Sequence, residues 1–300
     1  MPNPRWQFVT SLTTAIARRV VRRMPAPVQR IALSVERRLW TLWYRRGSPP
    51  AWEDDFPWCS PNIWERVVTF YQARPSPVVF EYGTGISSLH HIRNLLHNSG
   101  VYVGVEHEPE WYFAALRHIL SYCSRHELAV AGQVMSVLPA DVSHPVAPSF
   151  ESSFAISSRN GSKCFVQLTL RPAQGDTASG DGTLEDFREY VTALHEPCDT
   201  MIVDGRARKA CINHILDNHL VKPGGMCVLF DACRGMENWM GEPRLTGSAE
   251  YQPEVQRMLS LGGELVDGVG LDRWPRLRFR RTMGRTAFSY PLEACFLIVP

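Results

Sequence analysis

The sequence predicts an α/β protein built on a doubly wound, mainly parallel sheet, and three observations predict it. From residue 77 onward, short apolar runs alternate with helical stretches. Several of those runs end on an acid or a glycine. A glycine turn, Gly83-Thr-Gly85, separates the first run from the first helix of the series. Alternation of this kind implies parallel strands joined by right-handed crossovers, with helices covering both faces of the sheet.

The elements follow in order. Residues 77–82 (PVVFEY) predict a strand and 87–99 a helix. Residues 101–106 (VYVGVE) predict a second strand and 109–125 a helix with Trp111, Ala115, His118, Ile119 and Tyr122 along one side. Residues 134–138 (VMSVL) predict a third strand. Residues 141–183 break the rhythm: they are rich in Ser, Pro, Gly and Asp and read as an insertion or long loop, with FVQLTL at 165–170 as a candidate strand inside it. The alternation resumes with a helix over 184–195, a strand at 200–204 (TMIVD) and a helix over 207–220. A KPGG turn at 222–225, a strand at 226–231 (MCVLFD) and a helix near 253–261 follow. Residues 264–269 and 293–299 are expected to finish the sheet.

Ahead of this body stands a basic arm. Residues 1–50 hold ten Arg, no Lys and one acid, Glu36, a net +9 that leaves −7 for the remainder of a chain whose total is +2. Phe8, Leu12, Ile16 and Val20 recur at intervals of four, the spacing of an amphipathic helix. A second basic helix is expected over 28–44, and GSPPAW at 47–52 is a linker. Three readings of the arm stand side by side: a helical cap on the main domain, a surface for an anionic membrane, and an organelle presequence. The expected domain division is therefore 1–50, a basic helical arm, and 51–300, the main α/β domain.

The eight Cys form no CxxC pair and no Cys/His cluster of zinc spacing, so no metal is expected, and buried reduced thiols in a cytoplasmic protein are the expectation. No run of eighteen apolar residues is present, so no membrane-spanning helix is expected. The body's negative charge and the lack of a recognised module argue against a nucleic-acid partner.

The chemistry concentrates where the strands end. In open α/β sheets, ligands bind beyond the carboxyl ends of the strands, beside the point where strand order reverses. Gly83 and Gly85 lie at such an end. Glycine allows a sharp turn and lets a ligand approach the backbone. Glu81 sits in the same loop. A pyrophosphate would be opposed there by that carboxylate, whereas the sulfonium and ammonium groups of S-adenosylmethionine (SAM) would not. Ser88 stands where dinucleotide-binding loops place Gly or Ala. Glu106, ending the second strand 21 residues past Gly85, has the position of an acid that accepts hydrogen bonds from ribose hydroxyls. That feature is shared with NAD enzymes and does not discriminate. Ser87 and His107 flank these positions and complete the candidate cofactor set.

Two further strand ends supply candidate catalytic groups. Asp204, in IVDGRAR at 202–208, is open to three roles: general base, metal ligand or anchor for an ammonium, beside the plain alternative of a helix N-cap. Asp231 is the second candidate base. Arg206 and Arg208 either grip an anionic acceptor or face water. The segment 273–281 (RWPRLRFRR) reads as a half-exposed strand or as a basic lip beside the cleft.

With these motifs placed, the chain resembles the bacterial class I SAM-dependent methyltransferases, in the group similar to small-molecule or sugar O-methyltransferases. The resemblance rests on FEYGTG at 80–85, VEHEPEWY at 105–112, VDGRARKAC at 203–211 and LVKPGG at 220–225, with PWCSP at 57–61 ahead of them. It covers about residues 55–235. It implies a Rossmann-like methyltransferase fold and SAM as cofactor, held by Glu81, Gly83, Gly85 and Glu106, with Asp204 lining the cleft. Members often carry a second acid after the one matching Asp231; here that position is Ala232, which counts against a two-acid metal site. The expected reaction is methyl transfer to a hydroxyl. An NAD-dependent oxidoreductase and a catalytically silent scaffold are the alternatives.

Overall fold

The computed structural model describes Cys59 and residues 61–134, 149–174, 182–230, 232, 251–266 and 294–300. The basic arm, Asp231 and the segment 273–281 lie outside them. Among the described residues fifteen elements follow in chain order: α1 (Pro61–Gln72), β1 (Val78–Tyr82), α2 (Ile86–His97), β2 (Val101–Glu106), α3 (Pro109–Arg125), β3 (Ala129–Gln133), β4 (Phe150–Ser157), β5 (Lys163–Leu170), α4 (Arg188–Val191), β6 (Cys198–Val203), α5 (Arg208–Asp217), β7 (Val221–Phe230), α6 (Gln252–Ser260), β8 (Glu264–Val266) and β9 (Ala294–Ile298).

The nine strands form one sheet in the order β3-β4-β5-β2-β1-β6-β7-β9-β8. Its five central strands, β5 to β7, are mutually parallel. The chain runs outward from β1 through β2 to β5, then returns to the other side of β1 with β6 and β7. Strand order thus reverses between β1 and β6, and that is the switch point at which an open α/β sheet binds its ligand. Antiparallel strands close both flanks: β4 and β3 beyond β5, β9 beyond β7.

Side chains of the central strands alternate between two buried cores, as the two-residue period of a strand requires. Val79, Tyr102, Ile202 and Val228 point to the core shared with α1, α2 and α3. Phe80, Val105, Val203 and Leu229 point to the core shared with α5, α6 and the residues around α4. Burial on both faces explains why these strands read as continuous apolar runs.

The structure corrects several expectations. The place beside β2 is taken by β5, at Val101↔Phe165, and the strand expected at 134–138 lies outside the described residues except for Val134. The region 141–183 is no long loop where it is described. Phe150–Ser157 and Lys163–Leu170 pair over eight positions as an antiparallel hairpin, and its second strand belongs to the parallel core. KPGG at 222–225 lies inside β7, where Gly224 at φ +70° and a register shift opposite Cys198/Thr200 make an irregular stretch of strand in place of a turn. The helix expected over 184–195 shortens to Arg188–Val191.

Candidate functional site

The glycine turn is held from behind by a buried carboxylate. Glu81 is fully buried, and its oxygens accept hydrogen bonds from Ser87 Oγ at 2.6 Å, Ser88 Oγ at 2.9 Å and the Tyr102 hydroxyl. Ser88 Oγ in turn accepts the Gly85 N–H at 3.0 Å, so the third residue of α2 reaches back to the residue before it, as in a capping box. Burial drives the Glu81 carboxyl up to about 7, against the opposing hydrogen bonds from Ser87, Tyr102 and Ser88. Glu81 therefore faces the α2 side of the sheet and fixes the turn. On the same face, His91 is buried with Nδ1 3.2 Å from the Tyr71 hydroxyl and Nε2 without a partner among the described residues. Burial, and secondarily His90, lowers it to about 3, so it is neutral.

The two glycines differ in what they do. Gly83 adopts φ +91°, a conformation costly for any other residue, and donates its N–H to Val105 O at 2.9 Å. A β-carbon on it would lie 2.5 Å from Gly205 Cα. At Gly85 an added β-carbon would meet nothing within 4 Å among the described residues. The turn thus offers a backbone face that a ligand can approach.

Glu106 ends β2 at 3% exposure. Its Oε1 accepts the backbone N–H groups of His107 and Glu108, each at 2.9 Å, and its Oε2 accepts Thr84 Oγ1 at 3.3 Å. The carboxylate is therefore locked in orientation, and Oε2 retains capacity for a further donor. His107 Nδ1 lies 2.9 Å from Oε1 but without the alignment of a hydrogen bond. Its ring sits edge-on to Phe187 and Tyr190, at centroid distances of 5.2 and 5.6 Å.

Asp204 follows β6, with its N–H bonded to Tyr82 O at 3.0 Å and its side chain 30% exposed. Arg208 is not a surface cation. It is 4% exposed, and its guanidinium donates to Phe230 O at 2.7 Å, Gly205 O at 3.0 Å, Asp204 O at 3.0 Å and Asp204 Oδ1 at 3.1 Å. It ties the ends of β6 and β7 together and orients the aspartate. Neither sequence reading of Arg208, acceptor grip or solvated charge, describes this position.

The structure brings Glu81, Gly83, Gly85, Ser87, Glu106, His107 and Asp204 to the carboxyl ends of β1, β2 and β6. Asp231 lies outside the described residues. Three contributors escaped the sequence analysis: Thr84 on Glu106, Tyr102 on Glu81, and Tyr190 beside Gly205. For Tyr102 a signal existed, a polar tip in an otherwise apolar strand; for Tyr190 there was none. Among the described residues, no group of three or more His, Cys, Asp or Glu is placed to hold a metal ion, and no helix is long and apolar enough to cross a membrane.

No family model and no curated protein matches the chain. Solved structures similar to it include the O-methyltransferase TomG from Streptomyces achromogenes, involved in tomaymycin synthesis and bound to SAM. Identity is 17%, coverage 83% of this chain and 85% of that one, and the TM-score 0.44. An O-methyltransferase from Bacillus cereus in complex with S-adenosylhomocysteine (SAH) is 13% identical, with coverage of 80% and 81% and a TM-score of 0.40. The SAH-bound Podospora anserina methyltransferase PaMTH1 is 14% identical, with coverage of 89% and 96% and a TM-score of 0.43.

Proposed function

We propose that the chain is a SAM-dependent methyltransferase of the class I kind, acting on a hydroxyl of a small molecule or sugar. One observation carries the reading: the switch point gathers an open glycine turn, an oriented ribose-type carboxylate (Glu106) and a cleft-side aspartate (Asp204) on three neighbouring strands. The residues fit the cofactor. Gly85 leaves the room a side chain would fill, and Glu106 Oε2 has acceptor capacity for a ribose hydroxyl.

When bound, SAM supplies a methyl group already activated by its sulfonium charge. The chain's contribution is alignment of the acceptor with that methyl group, worth several orders of magnitude in rate. Glu106 holds the ribose end, and the turn at 83–85 sets the depth. Asp204 receives the proton of the acceptor hydroxyl, and its Oδ1 contact with Arg208 holds it in place. Arg206 remains the candidate for contact with an anionic acceptor.

The test is calorimetric titration with SAH, SAM and NAD. Binding of SAH, weakened about tenfold or more in Glu106→Gln, is expected from loss of a charged acceptor. Binding of NAD and not SAH sinks the reading in favour of an oxidoreductase.

A further inference from the structure

We propose that Tyr190 is a ligand-binding residue, its phenolic O–H donating a hydrogen bond to the amino-acid end of the cofactor where that end lies over Gly83 and Gly205. The inference rests on the SAM reading above and adds a residue and a contact to it.

Tyr190 stands in α4, its ring enclosed by Tyr82, His107 and Phe187 at centroid distances of 5.5, 5.6 and 5.9 Å. The residue is fully buried, yet its hydroxyl has no hydrogen-bond partner among the described residues. Buried phenols normally find one, and an orphaned donor is costly. The hydroxyl's location says where the partner belongs. A β-carbon on Gly205 would overlap it, and that same point lies 3.0 Å from both Gly83 Cα and Gly83 N. The orphan donor therefore hangs over the glycine pair that joins β1 to β6 at the switch point. Burial, with Cys211 and Glu106 nearby, pushes the phenol upward, so it stays protonated and acts as a donor.

The chemistry of the flanks decides which end of the cofactor reaches it. Glu106 fixes the ribose over β2. On one side of β2 stands β5, ending in the buried Leu170, which suits an apolar ring. On the other stand β1 and β6, with Asp204 and the backbone N–H groups that open α2. A zwitterionic amino-acid end belongs on the polar side, where its charges find partners. Its carboxylate is the acceptor matched to a shielded O–H donor.

The experiment compares the full chain with Tyr190→Phe, which keeps the ring and removes the hydroxyl. SAH and 5′-methylthioadenosine, which lacks the amino-acid end, are titrated into both proteins, and both are melted without ligand. The expected result is SAH binding weakened about five- to thirtyfold, 5′-methylthioadenosine binding unchanged within about twofold, and a ligand-free melting temperature equal to or above the wild-type value. Equal SAH affinity in the two proteins overturns the proposal. So does an equal loss for both ligands, or a lower ligand-free melting temperature with SAH binding intact, which marks a purely internal hydroxyl. If the wild-type chain fails to bind SAH, the cofactor reading falls and this inference with it; wild-type binding with an unaffected variant removes this inference alone.

Discussion

The α-carbons of Gly83 and Gly205 face each other across the switch point. A β-carbon on Gly83 would stand 2.5 Å from Gly205 Cα and 2.7 Å from Gly205 N, closer than real β-carbons approach any atom. The ends of β1 and β6 thus meet at these two glycines without a side chain of either between them.

Gly205→Ala is expected to destabilise the protein by about 1–3 kcal/mol, because the new methyl overlaps the Tyr190 hydroxyl and crowds Gly83. Combining it with Tyr190→Phe should recover part of the loss, since the overlapping atom is gone. Denaturant titration of the two single variants and the double variant measures the coupling. Strict additivity would contradict the placement of that hydroxyl.

Two buried groups on the α2 face should tilt stability with pH in opposite directions. Glu81 rises from 4.5 to about 7 on folding, so between those values the native state holds a proton that the unfolded chain has shed. Its contribution is present at low pH and is lost as pH rises through about 7. His91 falls from 6.5 to about 3, so the unfolded chain takes up a proton that the native state refuses. Its contribution is lost as pH drops below about 6.5. Melting curves of Glu81→Gln and His91→Gln against pH check both signs. The wild-type advantage over Glu81→Gln should shrink with rising pH, and that over His91→Gln should grow.

Arg208→Lys is expected to cost about 2–4 kcal/mol despite conserving charge. An ammonium cannot reach three carbonyls and a carboxylate that lie around a planar guanidinium. Thermal denaturation, read beside SAH titration, tests this. A variant as stable as wild type would mean that the bonds to Phe230 and Gly205 contribute nothing.

Much of this architecture was legible because the central strands are buried on both faces. VVFEY, VYVGVE, CDTMIV and MCVLF carry their burial in their composition, and the glycine turn and Glu106 fall at their ends by simple counting. The misses share a physical cause. FESSFAIS of β4 alternates polar and apolar residues, and its serines weigh toward a loop even though Ser152 is buried with its hydroxyl 2.8 Å from that of Tyr112. AVAGQ of β3 is exposed throughout, and its short apolar start shows no alternation of buried and exposed positions. Arg208 could not be read, because a charged residue in a basic motif looks solvated until its carbonyl partners are placed. Tyr190 acquires meaning only through Gly205, fifteen residues away and on another element.

The last strand in chain order does not sit at the border of the sheet. β9 slots between β7 and β8, pairing Val228 with Phe296 on one side and Glu264 with Phe296 on the other. Until residues 294–298 leave the ribosome, β7 lacks its neighbour on that side and β8 has no strand to pair with among the described residues. A nascent chain stalled before residue 294 would therefore expose a strand rim prone to self-association.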